Sequence, residues 1–129
     1  MKKLGELVLS EKDELAQLDA LAMGRPVSSF PFDANYAATQ FNYFGAAAYP
    51  QGHTSLNTPG FLNMSLRQPF GVVAIIIPWN APLVFFSKKV APAVAAGNCV
   101  VVKSSEKAPL TVRLFLSAST LNAMILIPM

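Results

Sequence analysis

Apolar positions recur along this chain first at helical spacing, then in alternation, then in unbroken runs. Ser10 followed by Glu11, Asp13 and Glu14 reads as an N-cap with an acidic first turn, and Leu15, Leu18, Leu21 and Ala22 then keep a helical period until Gly24-Arg25-Pro26. Asp33 is placed to cap a second helix in which Ala37, Phe41, Phe44 and Ala48 share a side before Pro50. After the Thr58-Pro59-Gly60 turn the period falls to two, with Leu62, Met64 and Leu66 opposite Asn63, Ser65 and Arg67. That alternation predicts a half-exposed strand paired near Thr54 to Asn57.

Gly71 to Ile77 is a nearly continuous β-branched run, expected of a central parallel strand covered on both faces. Pro82 opens a helix through Phe85, Phe86, Val90 and Val94 that stops at Gly97, with Pro92 expected to kink or restart it. Cys99 to Val102 is a second buried strand, completing a βαβ unit. A further helix is expected from near Pro109 through Leu110, Leu114, Leu116 and Leu121. Ala123 to Met129 supplies no turn and no further strand, so the chain is expected to break off inside a larger fold. The layout is thus a helical lead-in (1–52), hairpin strands (53–68), a βαβα unit (69–122) and an atypical tail (123–129). The fold class is α/β: an incomplete Rossmann-like parallel sheet preceded by two helices and a β-hairpin.

Composition narrows the function classes. Hydrophobic residues make up 53% of the 129 positions and charged ones 13%, about half the share of an average soluble domain, so disorder is excluded and partner surfaces are expected. Ten basic against seven acidic residues leave a net charge of +3 with no basic stripe, so no nucleic-acid ligand is expected. One cysteine and one histidine cannot complete a zinc site, and no metal is expected. The charged start around Lys2, Lys3 and Glu6 lacks a signal-peptide core, which points to a cytoplasmic protein. The uncharged stretch from Gln68 to Ser87 is broken by Pro78 and Pro82, so no membrane span is expected.

Gln68-Pro69-Phe70-Gly71-Val72-Val73 leads to Ile77-Pro78-Trp79-Asn80-Ala81-Pro82-Leu83, then to Lys89-Val90-Ala91-Pro92-Ala93-Val94-Ala95-Ala96-Gly97-Asn98, Val102-Lys103-Ser104-Ser105-Glu106 and Pro109-Leu110-Thr111. In this order and spacing the pieces closely resemble the aldehyde dehydrogenase superfamily, from Leu4 to about Ser117. The resemblance implies NAD(P)-dependent oxidation of an aldehyde to a carboxylic acid, in an enzyme that is a homo-oligomer at full length. It also implies that the nucleophilic cysteine and the general base lie outside this stretch, so the chain alone is expected to be inactive. The alternative is a noncatalytic product that associates with full-length subunits through the alternating segment around Leu62 to Leu66.

By the same resemblance Asn80 supplies a side-chain amide to the oxyanion, Ile76, Ile77, Pro78 and Trp79 line the dinucleotide, and Lys103 and Glu106 hold the adenosine ribose hydroxyls. A carboxylate at Glu106 would repel a 2′-phosphate, which favours NAD over NADP. Each role has a plainer competitor: Asn80 as a helix cap, Lys103 and Glu106 as an exposed i,i+3 ion pair, and Trp79 as a core or interface aromatic. Cys99, at the start of a valine strand, is expected to be a packed structural thiol, and His53 an exposed loop histidine.

Overall fold

The computed structural model describes residues 1–47, 52–112 and the strand at 124–126. Helices α1 (Lys2–Ser10), α2 (Lys12–Met23) and α3 (Phe30–Ala46) come first, with a single 3-10 turn at Val27–Ser29. A two-stranded hairpin, β1 (His53–Ser55) and β2 (Asn63–Ser65), follows, then β3 (Val72–Ile76), α4 (Pro82–Ala95), β4 (Cys99–Lys103) and β5 (Met124–Leu126). Residues 110–112 begin another helix; Leu114, Leu116 and Leu121, expected along it, lie outside the described residues, as do Ala48 and Pro50.

The lead-in differs from the expectation of two helices. α1 buries Leu4 and Val8, one turn apart, against α3, and Gly5 permits the close approach: a Cβ there would stand 3.2 Å from the Ala38 carbonyl oxygen. Ser10 is therefore no N-cap. It ends α1, its hydroxyl donating to the Leu7 carbonyl at 2.9 Å, and Glu11 takes the N-cap of α2 without a side-chain bond. α2 buries Leu15, Ala16 and Asp19, while Leu21 faces solvent at 80% exposure, so its inner face is rotated from the one that the leucines suggest. Gly24, at φ 70°, ends α2 in the left-handed region that glycine adopts without strain. Asp33 is likewise not a cap: it lies inside the first turn of α3, buried, and Ser29 holds the N-cap position.

The core lies between the helices and the sheet. Phe41 of α3 meets Phe86 of α4 edge to face, centroids 6.3 Å apart, and Val90, Ile75, Ile77, Val100 and Val102 continue the cluster. β3 and β4 pair in parallel from Val72↔Cys99 to Ile76↔Lys103. Buried Asn98 sets this register: its Oδ1 accepts from the Gly71 N–H at 3.1 Å and its Nδ2 donates to the Ala93 carbonyl at 3.0 Å. α4 runs through Pro92 unbroken. The carbonyl that Pro92 leaves without its helical donor belongs to Lys88, an exposed residue in the middle of α4, where water can replace the missing donor.

Three expectations about the sheet are corrected. The tail does supply a strand: Met124–Leu126 pairs in parallel with Val100–Val102, an apolar run taking up the free ladder of β4. Among the described residues β4 is therefore the middle strand, and β3 is an edge, not a central strand. β3 is covered on one face only. Val72 and Ile76 are 68% and 69% exposed, because α4 covers the Val73 and Ile75 side and no described element lies on the other. Cys99 is exposed too, not packed, its N–H bonded to the Gly71 carbonyl at 2.8 Å.

The hairpin pairs His53↔Ser65, Thr54↔Met64 and Ser55↔Asn63, close to the expected partner segment. It is shorter than the alternation suggests, and both its faces are open: Leu62, Met64 and Leu66 are 56%, 56% and 74% exposed. His53 is exposed and lies within β1, not in a loop. No helix among the described residues is long and apolar enough to cross a membrane.

Candidate functional site

The carboxyl ends of β3 and β4 lie side by side, because the parallel register sets Ile76 opposite Lys103 and the Ile77 N–H donates to the Lys103 carbonyl at 3.0 Å. In open α/β sheets this end of the strands is where ligands bind. Beyond β3 the chain turns through Pro78, Trp79 and Asn80 into α4. Beyond β4 it turns through Ser105, which accepts from the Ala108 N–H at 3.1 Å. The two turns meet: Lys107 Nζ stands 5.8 Å from the centroid of the Trp79 ring, within cation–π range.

Asn80 is exposed and does not cap α4, whose N-cap is Ala81 with no side-chain bond. The capping alternative is thereby set aside, and the amide of Asn80 makes no hydrogen bond to the described residues. Ile76 and Trp79 are exposed and Pro78 half-buried. Ile77 is 1% exposed and its side chain belongs to the core, so only its backbone is available there. Lys103 Nζ lies 4.0 Å from Glu106 Oε2, both side chains largely in solvent, and also donates to the Ser104 carbonyl at 3.2 Å. The plain ion pair is therefore present in this structure.

Two features were not foreseen. Lys89, on the second turn of α4, donates to the Ile76 carbonyl at 2.6 Å and fixes the last peptide of β3. A signal for it exists: a helix running back along its strand brings its second turn to the strand end. The second feature is a buried polar cluster. Arg25 bonds Asp33 and stands 3.9 Å from Asp19 Oδ2, while the Thr111 hydroxyl donates to Asp19 Oδ1. Burial pushes the Asp19 carboxyl above its ordinary pKa, against the lowering effects of the Thr111 bond and the Arg25 charge, and the Asp33 charge adds to the rise. The bond to Asp33 raises the Arg25 guanidinium further into its charged range.

The parallel pair, the proline-flanked turn and the exposed Lys/Glu pair stand together at adjacent strand ends. Ile76 and Trp79 expose apolar surface there beside a carboxylate and an ammonium, a chemistry that fits a group with flat rings and hydroxyls such as a dinucleotide.

Comparison with known proteins identifies the fold. Aldehyde dehydrogenase 1 of Tanacetum cinerariifolium is 42% identical over 110 residues, 84% of this chain and 22% of that protein. Betaine aldehyde dehydrogenase of Bacillus subtilis is 38% identical over 111 residues, 84% of this chain and 23% of that one. The crystal structure of PnpE from Pseudomonas sp. WBC-3 superposes with a TM-score of 0.90 at 38% identity, over 98% of this chain and 28% of that chain. PnpE in complex with nicotinamide adenine dinucleotide gives 0.89 at 38%, over 98% and 27%. The chain thus spans about a quarter of the length of these relatives, at their N-terminal part. The family model for aldehyde dehydrogenases matches residues 1–123, and the chain belongs to that family.

Proposed function

We propose that these residues supply the adenosine side of the cofactor site and one oxyanion donor of an NAD(P)-dependent aldehyde dehydrogenase. The observation that carries this reading is the alignment of Ile76 with Lys103 at adjacent strand ends, with the Trp79-Asn80 turn beside them. Lys103 and Glu106 bond the two ribose hydroxyls, ammonium donating and carboxylate accepting. Their exposed pairing, worth less than about 1 kcal/mol, opens at little cost. Ile76, Pro78, Trp79 and the backbone of Ile77 line the dinucleotide, which when bound accepts hydride from the aldehyde carbon. The carboxylate of Glu106 repels a 2′-phosphate, which favours NAD.

Asn80 donates its side-chain N–H to the oxygen that gains charge when a thiolate attacks the aldehyde. Pro78 and Pro82 fix φ on either side, so the donor is held before the reaction begins; loss of such a donor costs roughly 100-fold or more in rate. The one thiol, Cys99, sits at the amino end of β4, four residues and roughly 13 Å along the strand from Lys103. It cannot serve that site, so these residues do not include the nucleophile. A second reading, association with full-length aldehyde dehydrogenase subunits, is favoured by the open apolar hairpin face at Leu62, Met64 and Leu66.

Assays of NADH formation with acetaldehyde and benzaldehyde are expected to show no turnover by the chain. Calorimetry is expected to give an NAD dissociation constant of about 1 mM or weaker, near 4 kcal/mol, weakened further by Lys103→Ala. Micromolar binding untouched by Lys103→Ala would place the site elsewhere. Turnover abolished by Cys99→Ser would refute the assignment of that thiol.

A further inference from the structure

The loop from Ser104 to Pro109 carries Glu106 and must hold it beside Lys103, yet its own internal bonds are few. One end is fixed by the sheet, through the Lys103 carbonyl and the Ile77 N–H at 3.0 Å. Within it, only the Ser105 carbonyl to Ala108 N–H bond at 3.1 Å and the Ser105 hydroxyl to Lys107 N–H bond at 3.3 Å shape the turn. At the other end Thr111, 1% exposed, donates to Asp19 of α2, a residue 92 positions earlier. Among the described residues this is the only side-chain hydrogen bond joining residues 104–112 to the helices before the hairpin.

Its acceptor is held from behind. Asp19 is 1% exposed, so no water competes for Oδ1, and Arg25, itself fixed by Asp33 of α3, stands 3.9 Å from Oδ2. A buried carboxylate oxygen that loses its donor is costly, which makes the bond stiff. We propose that the Asp19–Thr111 pair is a strut that fixes the downstream end of the Glu106 loop, making Thr111 a positioning residue for the cofactor. This rests on the cofactor reading of Lys103 and Glu106. Through the strut, the helical lead-in, remote from the strand ends, sets the geometry of the ribose contacts.

Hydrogen exchange on the whole chain tests it, in Thr111→Val, in Thr111→Ser, and in Asp19→Leu combined with Thr111→Val, where no buried oxygen is left unpaired. The Lys107 and Ala108 amides, which are bonded within the loop, are expected to exchange about tenfold faster in Thr111→Val and in the double variant, with β3, β4 and α3 unchanged and Thr111→Ser restoring protection. NAD titration of the same proteins is expected to show binding weakened about fivefold, near 1 kcal/mol, except in Thr111→Ser. Unchanged loop protection in both valine variants overturns the strut whatever the chain binds. Global loss of protection in both overturns it too, since the pair then holds the fold and not the loop. Freed loop amides with no NAD binding by the unaltered chain support the strut and overturn the cofactor reading.

Discussion

Arg25 with Asp19 and Asp33, and Lys103 with Glu106, carry the same kinds of charge and are put to opposite uses. In the first group the carboxylates are withdrawn from water, the guanidinium bonds one and stands beside the other, and burial, helped by the Asp33 charge, raises the Asp19 pKa. In the second, ammonium and carboxylate stand 4.0 Å apart in solvent, 46% and 72% exposed. Breaking the buried group strands a charge where nothing solvates it, whereas water replaces either partner of the exposed pair. The contrast separates charges that the fold consumes from charges that it leaves free to meet a ligand. In this chain both groups serve one region, since Thr111 ties the buried cluster to the loop that carries Glu106.

The sharpest way to break this comparison is Asp33→Ala. It leaves the Arg25 guanidinium with Asp19 alone, at 3.9 Å and without a hydrogen bond to it. Removing one partner of a buried pair costs about 3–5 kcal/mol, and the 24% exposure of Arg25 puts the expected loss near the lower end. Urea denaturation reads it as a lowered midpoint with an unchanged slope. A loss under about 1 kcal/mol would show that the cluster behaves as surface charge does.

Acidity sharpens the comparison next. Burial raises the Asp19 carboxyl above 3.8, so the folded chain takes up this proton more readily than the unfolded chain. The resulting stabilisation is full below pH 3.8 and is lost as pH climbs through the raised value. Asp19→Asn keeps an oxygen acceptor for Thr111 but cannot titrate. The stability of the unaltered chain relative to Asp19→Asn is therefore expected to be greatest in acid and to decline toward neutral pH. Paired urea denaturation curves across that range check it, and a difference that grows with pH would mean that the Arg25 charge outweighs burial at Asp19.

The βαβ unit was legible because its signals are local: β-branched runs at Val72–Ile76 and Cys99–Lys103, and a helix opened by Pro82 and closed near Gly97. What lies on the far side of a strand is not local. The run at Val72 to Ile76 has the composition of a strand covered twice, but no described element covers its outer face, and the relatives are about four times longer. α1 was missed because only Leu4 and Val8 mark its inner face, between charged neighbours. The face of α2 was misjudged because its third buried residue is Asp19, whose partner lies 92 positions away. Leu21, a better apolar candidate by type, is left outside. For the candidate site, the order of motifs singled out Asn80, Trp79, Lys103 and Glu106, whereas the bonds of Lys89 and Thr111 exist only once distant elements are docked.

The smallest expected effect on stability comes from the exposed pair, and it matters because it is small. Glu106→Gln removes a charge that stands 4.0 Å from Lys103 Nζ in solvent, and Lys103 keeps its bond to the Ser104 carbonyl at 3.2 Å. Such pairs contribute about 0.5 kcal/mol or less, so thermal unfolding of Glu106→Gln is expected to follow that of the unaltered chain within about 2–4 °C. Its NAD affinity is expected to fall, because the amide offers only one oxygen to two ribose hydroxyls. Lost affinity at unchanged stability marks a residue that the fold does not need and the ligand does. A Glu106→Gln chain as unstable as Asp33→Ala would instead place Glu106 among the charges that the fold consumes, and the distinction between the two groups would collapse.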